Sequence, residues 1–137
     1  MRSCALMFLV AAGLVASAGR GLAQTHGAGP GNPYQPVSEL VDLPDFIPGM
    51  GTLYVDPTTL PAGPFLAYDR DGHPVSSIYM IPLAAMNERR NFEGLAVGDD
   101  GIDHVDIQYN AGHPGVAEPH YHVVLWYVSA EKAAELR

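Results

Sequence analysis

The chain has 137 residues, of which 47 % are apolar, enough for one domain with one modest core and too few for two ordinary ones. Fifteen acidic residues against seven Lys and Arg give a net charge of −8, which excludes nucleic acid and anionic membrane as partners, since both require basic patches. A single cysteine, Cys4, excludes an internal disulfide.

The first residues carry a targeting pattern. Met1-Arg2 precedes an unbroken apolar run from Cys4 to Ala18, and small residues follow. A short basic start, a compact apolar stretch and small residues at its end describe a secretory signal peptide. The run is shorter than the roughly 20 residues of a spanning helix. Small-x-small cleavage sites lie after Ala18 and after Ala23; the second, giving a signal over residues 1 to 23, leaves a polar Gln24 start and removes Arg20. Cys4 is the first residue of the apolar run and does not follow it as a lipid-anchoring cysteine would. The mature chain then keeps five basic residues against fifteen acidic ones, net −10, and no cysteine. It is expected to be secreted or periplasmic, without membrane attachment after cleavage. Any metal must sit on His, Asp, Glu, carbonyls or water.

Residues 24 to 46 open with QTHGAGPGNPYQP and read as a flexible Gly/Pro-rich leader, with His26 solvated. Within it, apolar residues at 37, 40, 41, 43 and 46 suit one helical turn or an irregular covering strand, limited by Pro44. Residues 47 to 137 read as one β-rich domain. Gly51 to Val55 is a first strand. FLAY at 65 to 68 and VSSIYMI at 75 to 81 flank DRDGHP, a hairpin signal. Asp69, Asp71 and Gly72 look like the start of a calcium loop, but its later acidic ligands are missing, and tight-turn chemistry explains them. PLAAMNERRN at 82 to 91 suits a short helix with Pro in its first turn and Arg89-Arg90 at its end. His104 to Tyr109 and His120 to Tyr127 are two further strands. Ser129 is an N-cap candidate for a closing helix over AEKAAELR. The fold class is mainly β (α+β), a small antiparallel sheet or barrel of about five strands with two short helices.

Residues 102 to 127 hold four of the six histidines: His104, His113, His120 and His122. Side chains two apart on a strand share a face, so His120, His122, Val124 and Trp126 point one way, and His104, Asp106 and Gln108 share a face of their own strand. An antiparallel pairing that sets 108 opposite 120 places Asp106 across from His122, with His104 and His120 beside them. His104, Asp106, His120 and His122 are therefore the candidate metal ligands, and His113 can swing over them from the loop Gly112-His113-Pro114-Gly115. Imidazoles with a carboxylate suit a divalent ion such as Zn, Cu, Ni, Mn or Fe, with a position left open for water. Two other readings stand beside this one. The polar residues can form the wet face of a half-buried sheet, or a buried polar network lining a pocket for a neutral small molecule. No GxSxG, P-loop, HExxH or Rossmann glycine pattern occurs. Ser76-Ser77 has no local base, Glu93 and Glu118 are not brought together, and Tyr109, Tyr121, Trp126 and Tyr127 suit core or subunit contact.

Two patches resemble a known family. Pro48-Gly49-Met50-Gly51-Thr52-Leu53-Tyr54-Val55-Asp56-Pro57 is similar to its Met-Gly-x-His-Tyr/Trp-x-Asn/Asp-Pro pattern. Gly112-His113-Pro114-Gly115-Val116, leading into Pro119-His120-Tyr121-His122-Val123-Val124-Leu125-Trp126, is similar to its Gly-His-x-Pro-x-Gly-Val and following His-rich strand. The family comprises secreted bacterial proteins of unknown function, including a sigma-E-controlled protein that forms a ring-shaped homo-oligomer. The resemblance implies a compact β-rich fold and a homo-oligomer, and brings no activity. Leu53 stands where the family has a histidine. Without a gap His122 stands at a family Asp and Val124 at a family His; with a two-residue deletion His122 matches that second histidine. The expectation is an exported, non-enzymatic binding protein with a His/Asp divalent-metal site. Its alternatives are a small metal-dependent enzyme using the same face and a structural homo-oligomer with no ligand.

Overall fold

The run around VSSIYMI forms a central strand of the sheet because both of its faces find cover. In the computed structural model, which describes residues 29 to 98 and 100 to 137, this strand is β4, Pro74–Pro82, buried from Val75 through Met80. The other strands are β1 Gln35–Pro36, β2 Thr52–Val55, β3 Phe65–Tyr68, β5 His104–Asn110 and β6 His120–Trp126. All pair antiparallel in one open sheet of order β1-β2-β3-β4-β6-β5. Two short helices, α1 Leu83–Asn87 and α2 Ala130–Ala133, complete the mainly β architecture. Among the described residues β1 and β5 are the two edges of the sheet and do not pair with each other, so it is open and not a barrel. The proposed signal segment lies outside the described residues. No helix among the described residues is long and apolar enough to cross a membrane.

One face of the sheet carries the core. Val55, Ala67, Ile78, Val124 and Trp126 are buried there, and Val41, Leu43, Phe46 and Met50 pack over them. Each buried aliphatic side chain of this kind contributes about 1.5–3 kcal/mol of transfer free energy. The sixth strand, β1, arises inside the segment expected to be a flexible leader. The described part of that leader is instead docked: Pro36 pairs with Tyr54, a 3-10 turn follows over Val37–Glu39, and Val37 enters the core. Its apolar side chains found a sheet face to cover, and that outweighed the Gly/Pro-rich composition.

The hairpin between β3 and β4 forms as expected. The Asp69 carboxylate accepts from the backbone N–H groups of Asp71 and His73, both at 2.9 Å, and Gly72 takes φ +84°. The helices are shorter than the sequence suggests. Arg89, at φ +57°, lies beyond the end of α1, so neither arginine of the pair is in its last turn. Ser129 caps α2 by accepting from the Lys132 N–H at 3.3 Å.

Candidate metal centre

Strand β6 places His120 and His122 on the core face, two residues apart, where they are 0 % and 5 % exposed. The wet-face reading therefore fails for β6. For β5 it fails only in part: the apolar side of that edge strand is exposed, while on its polar side His104 and Asp106 are half-buried and Gln108 is exposed. Val105, Ile107 and Tyr109 face outward, and His104, Asp106 and Gln108 share the face of the core.

The connection between β5 and β6 brings in a third imidazole. Asn110 Oδ1 accepts from the Gly112 N–H at 2.8 Å, and His113 and Val116 exchange both backbone hydrogen bonds at 2.9 Å, closing a tight turn at Pro114-Gly115. Gly112 has φ +128°, and a β-carbon there would lie 2.6 Å from the Ala117 carbonyl oxygen. Only glycine fits. Gly115 packs so close to Val41 that a β-carbon would come within 2.8 Å of its Cγ1. The loop is thus held against the covering segment, and His113 sits over β6 with its ring 5.0 Å from that of His120 and 5.6 Å from that of His122.

One ligand nitrogen from each of His113, His120 and His122 lies within 4.8 Å of the others. Backbone carbonyls set two of the tautomers. His120 Nδ1 is 2.7 Å from the Glu118 carbonyl, and His113 Nδ1 is 2.9 Å from that of Pro114. A carbonyl only accepts, so each Nδ1 carries a proton, and in the neutral ring the Nε2 keeps its lone pair. Metal-ligating histidines are commonly oriented in this way. His120 Nε2 and His122 Nε2 stand 2.9 Å apart. In the metal-free protein His122 donates the proton of that contact; a metal ion would replace it, with the His122 proton moving to Nδ1. Two nitrogens on one tetrahedral ion at 2.0–2.1 Å are about 3.3 Å apart, so the pair needs to open by only about half an ångström. Burial, followed by the neighbouring His120 and His113, pushes the His122 pKa down to about 4, and the ring is neutral at ordinary pH.

Beside the imidazoles lies a cavity of about 200 Å³, lined by Met50, Leu53, Phe65, Met80, His113 and His122 among others. Leu53 closes it with an apolar wall.

The other predicted ligands are elsewhere. The β5–β6 register is two residues from the one expected: Asp106 lies opposite Val124, Gln108 opposite His122 and Asn110 opposite His120. An even shift keeps every side chain on its face but moves each partner by roughly 7 Å along the strand. Asp106 accepts from Trp126 Nε1 at 2.9 Å. His104 stacks on the Trp126 ring at 5.9 Å and pairs through Nδ1 with Asp103 at 2.8 Å. Both residues serve the tryptophan and stand apart from the histidine cluster. His113, placed second by sequence, is a primary member, and its signal was the Gly112/Gly115 frame that fixes its loop. Met50 and Met80 carried no sequence signal beyond apolarity.

Asp69, Asp71 and His73 also bring ligand atoms within 4.8 Å of one another, but the Asp69 carboxylate is already taken up by the turn. Ser77 and the Gly98 N–H share the Tyr127 hydroxyl, which fits the structural role expected for Ser77.

No family model and no curated protein matches the sequence. Among solved structures, the chain is similar to the hypothetical protein TTHB210 from Thermus thermophilus, with 46 % identity over 69 % of this chain and 92 % of that one and a TM-score of 0.59.

Proposed function

This chain belongs to the family of the Thermus thermophilus hypothetical protein TTHB210, and we propose that it is an exported binding protein for one transition-metal ion, held by His113, His120 and His122. The observation that carries the proposal is the 2.9 Å approach of two buried Nε2 atoms, with the far nitrogens of His120 and His113 committed to carbonyls. A third imidazole, that of His113, brings a ligand nitrogen within 4.8 Å of theirs, which a merely structural histidine pair does not need. Binding is favoured over catalysis because, among the described residues, no carboxylate joins the three histidines to act as general base.

Zinc is the simplest probe, being redox-inert and tolerant of geometry. Tag-free protein is expected to take up one equivalent and to melt at a higher temperature by mass action. His120→Ala with His122→Ala is expected to abolish both effects. A protein that neither retains zinc nor is stabilised by it, nor by copper or nickel, refutes the proposal.

A second property, self-association, is supported by a different feature. The outward row Val105, Ile107 and Tyr109, exposed at 52 %, 68 % and 58 %, lies on an edge strand of the sheet. Apolar rows of this kind mark contact surfaces. Light scattering on Ile107→Glu against the unaltered protein tests it; a larger mass in the unaltered protein, lost in the variant with metal uptake intact, is the expected result. A monomer in both sinks it.

A further inference from the structure

We infer that the ion this site prefers is copper(I), with a methionine thioether, Met80 first, completing the coordination; the inference rests on the three-histidine reading above and specifies its ligand. Two observations carry it.

The first is charge. Every ligand is a neutral imidazole, and the described surroundings supply no anion. Asp106 is turned onto Trp126, and Glu118 offers the cluster only its carbonyl while its side chain faces solvent. The desolvation cost of an ion grows with the square of its charge, so a divalent ion faces about four times the burial penalty of a monovalent one of similar size. Zinc would have to bring a hydroxide or another anion to balance the site. Copper(I) would not.

The second is the softness of the remaining donors. Met80 lies directly opposite His122 in the β4–β6 register, on the same face, and is 6 % exposed. Opposed residues have β-carbons about 4.5–5.5 Å apart, near enough for a long side chain to reach its partner's ligand atom. Met50 lines the same 200 Å³ cavity as Met80, His113 and His122. Methionine is unbranched, with three rotatable bonds, so its sulfur can reach toward the ion while the cavity absorbs the movement. Thioether and imidazole together select copper(I), whereas a divalent ion gains little from sulfur of this kind. Methionine also fills gaps in ordinary cores, so the test must separate ligation from packing.

Metal-free, tag-free protein is titrated under anaerobic conditions with copper(I) kept reduced by ascorbate, in competition with bicinchoninate, and in parallel with zinc(II) against a chromophoric chelator. One copper(I) per chain is expected, bound at least about a thousandfold more tightly than zinc. Met80→Leu, which conserves volume, is expected to weaken copper(I) by about tenfold or more and leave zinc unchanged. Copper K-edge absorption on the unaltered protein is expected to contain a copper–sulfur path, a signature that a packing role does not produce and that does not depend on the variant folding. Zinc bound as tightly as copper(I), or copper(I) with no sulfur path and no response to Met80→Leu, overturns this inference and leaves the three-histidine site standing. Failure of both ions to bind overturns both.

Discussion

Acidifying the metal-free protein from pH 7 to pH 4 is expected to remove about 3 kcal/mol of folding stability through His122 alone. Its imidazole is 5 % exposed and wedged beside His120 and His113, which holds its pKa at about 4, whereas in the unfolded chain it titrates at its ordinary 6.5. The direction follows from linkage. A base whose folded pKa is depressed takes up its proton first in the unfolded state, so stability is complete above pH 6.5, declines as the pH falls from 6.5 towards 4, and levels off below. A gap of about 2.5 pH units at 1.36 kcal/mol per unit gives about 3 kcal/mol, a large share of the roughly 5–15 kcal/mol that holds a domain together. Urea unfolding at half-unit pH steps, followed by the fluorescence of the one tryptophan, buried Trp126, measures it. The fifteen acidic residues also titrate near the lower end, so the quantity that counts is the difference between the unaltered protein and His122→Gln. The variant's curve is expected to be flatter by about 3 kcal/mol between pH 6.5 and 4. Parallel curves refute the burial argument for this histidine.

Two further outcomes follow from contacts of β5 and its loop. Asp106→Ala leaves the buried Trp126 Nε1 donor without its acceptor and is expected to cost about 1–3 kcal/mol in urea unfolding, while zinc uptake stays at one equivalent. A loss of zinc in that variant would return Asp106 to the site. Gly112→Ala, at φ +128° with the Ala117 carbonyl 2.6 Å from the new β-carbon, is expected to displace the His113 loop. It should weaken zinc by about tenfold or more while costing only about 1–3 kcal/mol of stability, the usual range for backbone strain. Unchanged zinc affinity there would mean that the loop does not position His113.

Strands and faces were legible in the sequence because a period of two is written into the residues: His120, His122, Val124 and Trp126 do share one buried face. Register was not, because it depends on where the connecting turn closes. The paired strands centre the hairpin on Gly115, one residue later than expected, which moves every cross-strand pair by two and takes Asp106 from His122 to Val124. The role of Asp106 was hidden for a second reason. A carboxylate near histidines reads as a ligand, and only the three-dimensional neighbourhood reveals that an indole N–H needed an acceptor. The docking of residues 35 to 46 was likewise a tertiary outcome, since Val37 and Leu43 gain a partner only once the sheet exists. Met80 became a ligand candidate only when β4 was found paired with β6 in a register that sets it against His122.

X-ray absorption at the zinc edge on tag-free, zinc-loaded protein tests the three-histidine site most directly. One ion per chain is expected, with about three imidazole nitrogens at roughly 2.0–2.1 Å, and with fewer after His113→Ala or His120→Ala. Zinc surrounded only by oxygen, or a spectrum that neither substitution changes, contradicts it.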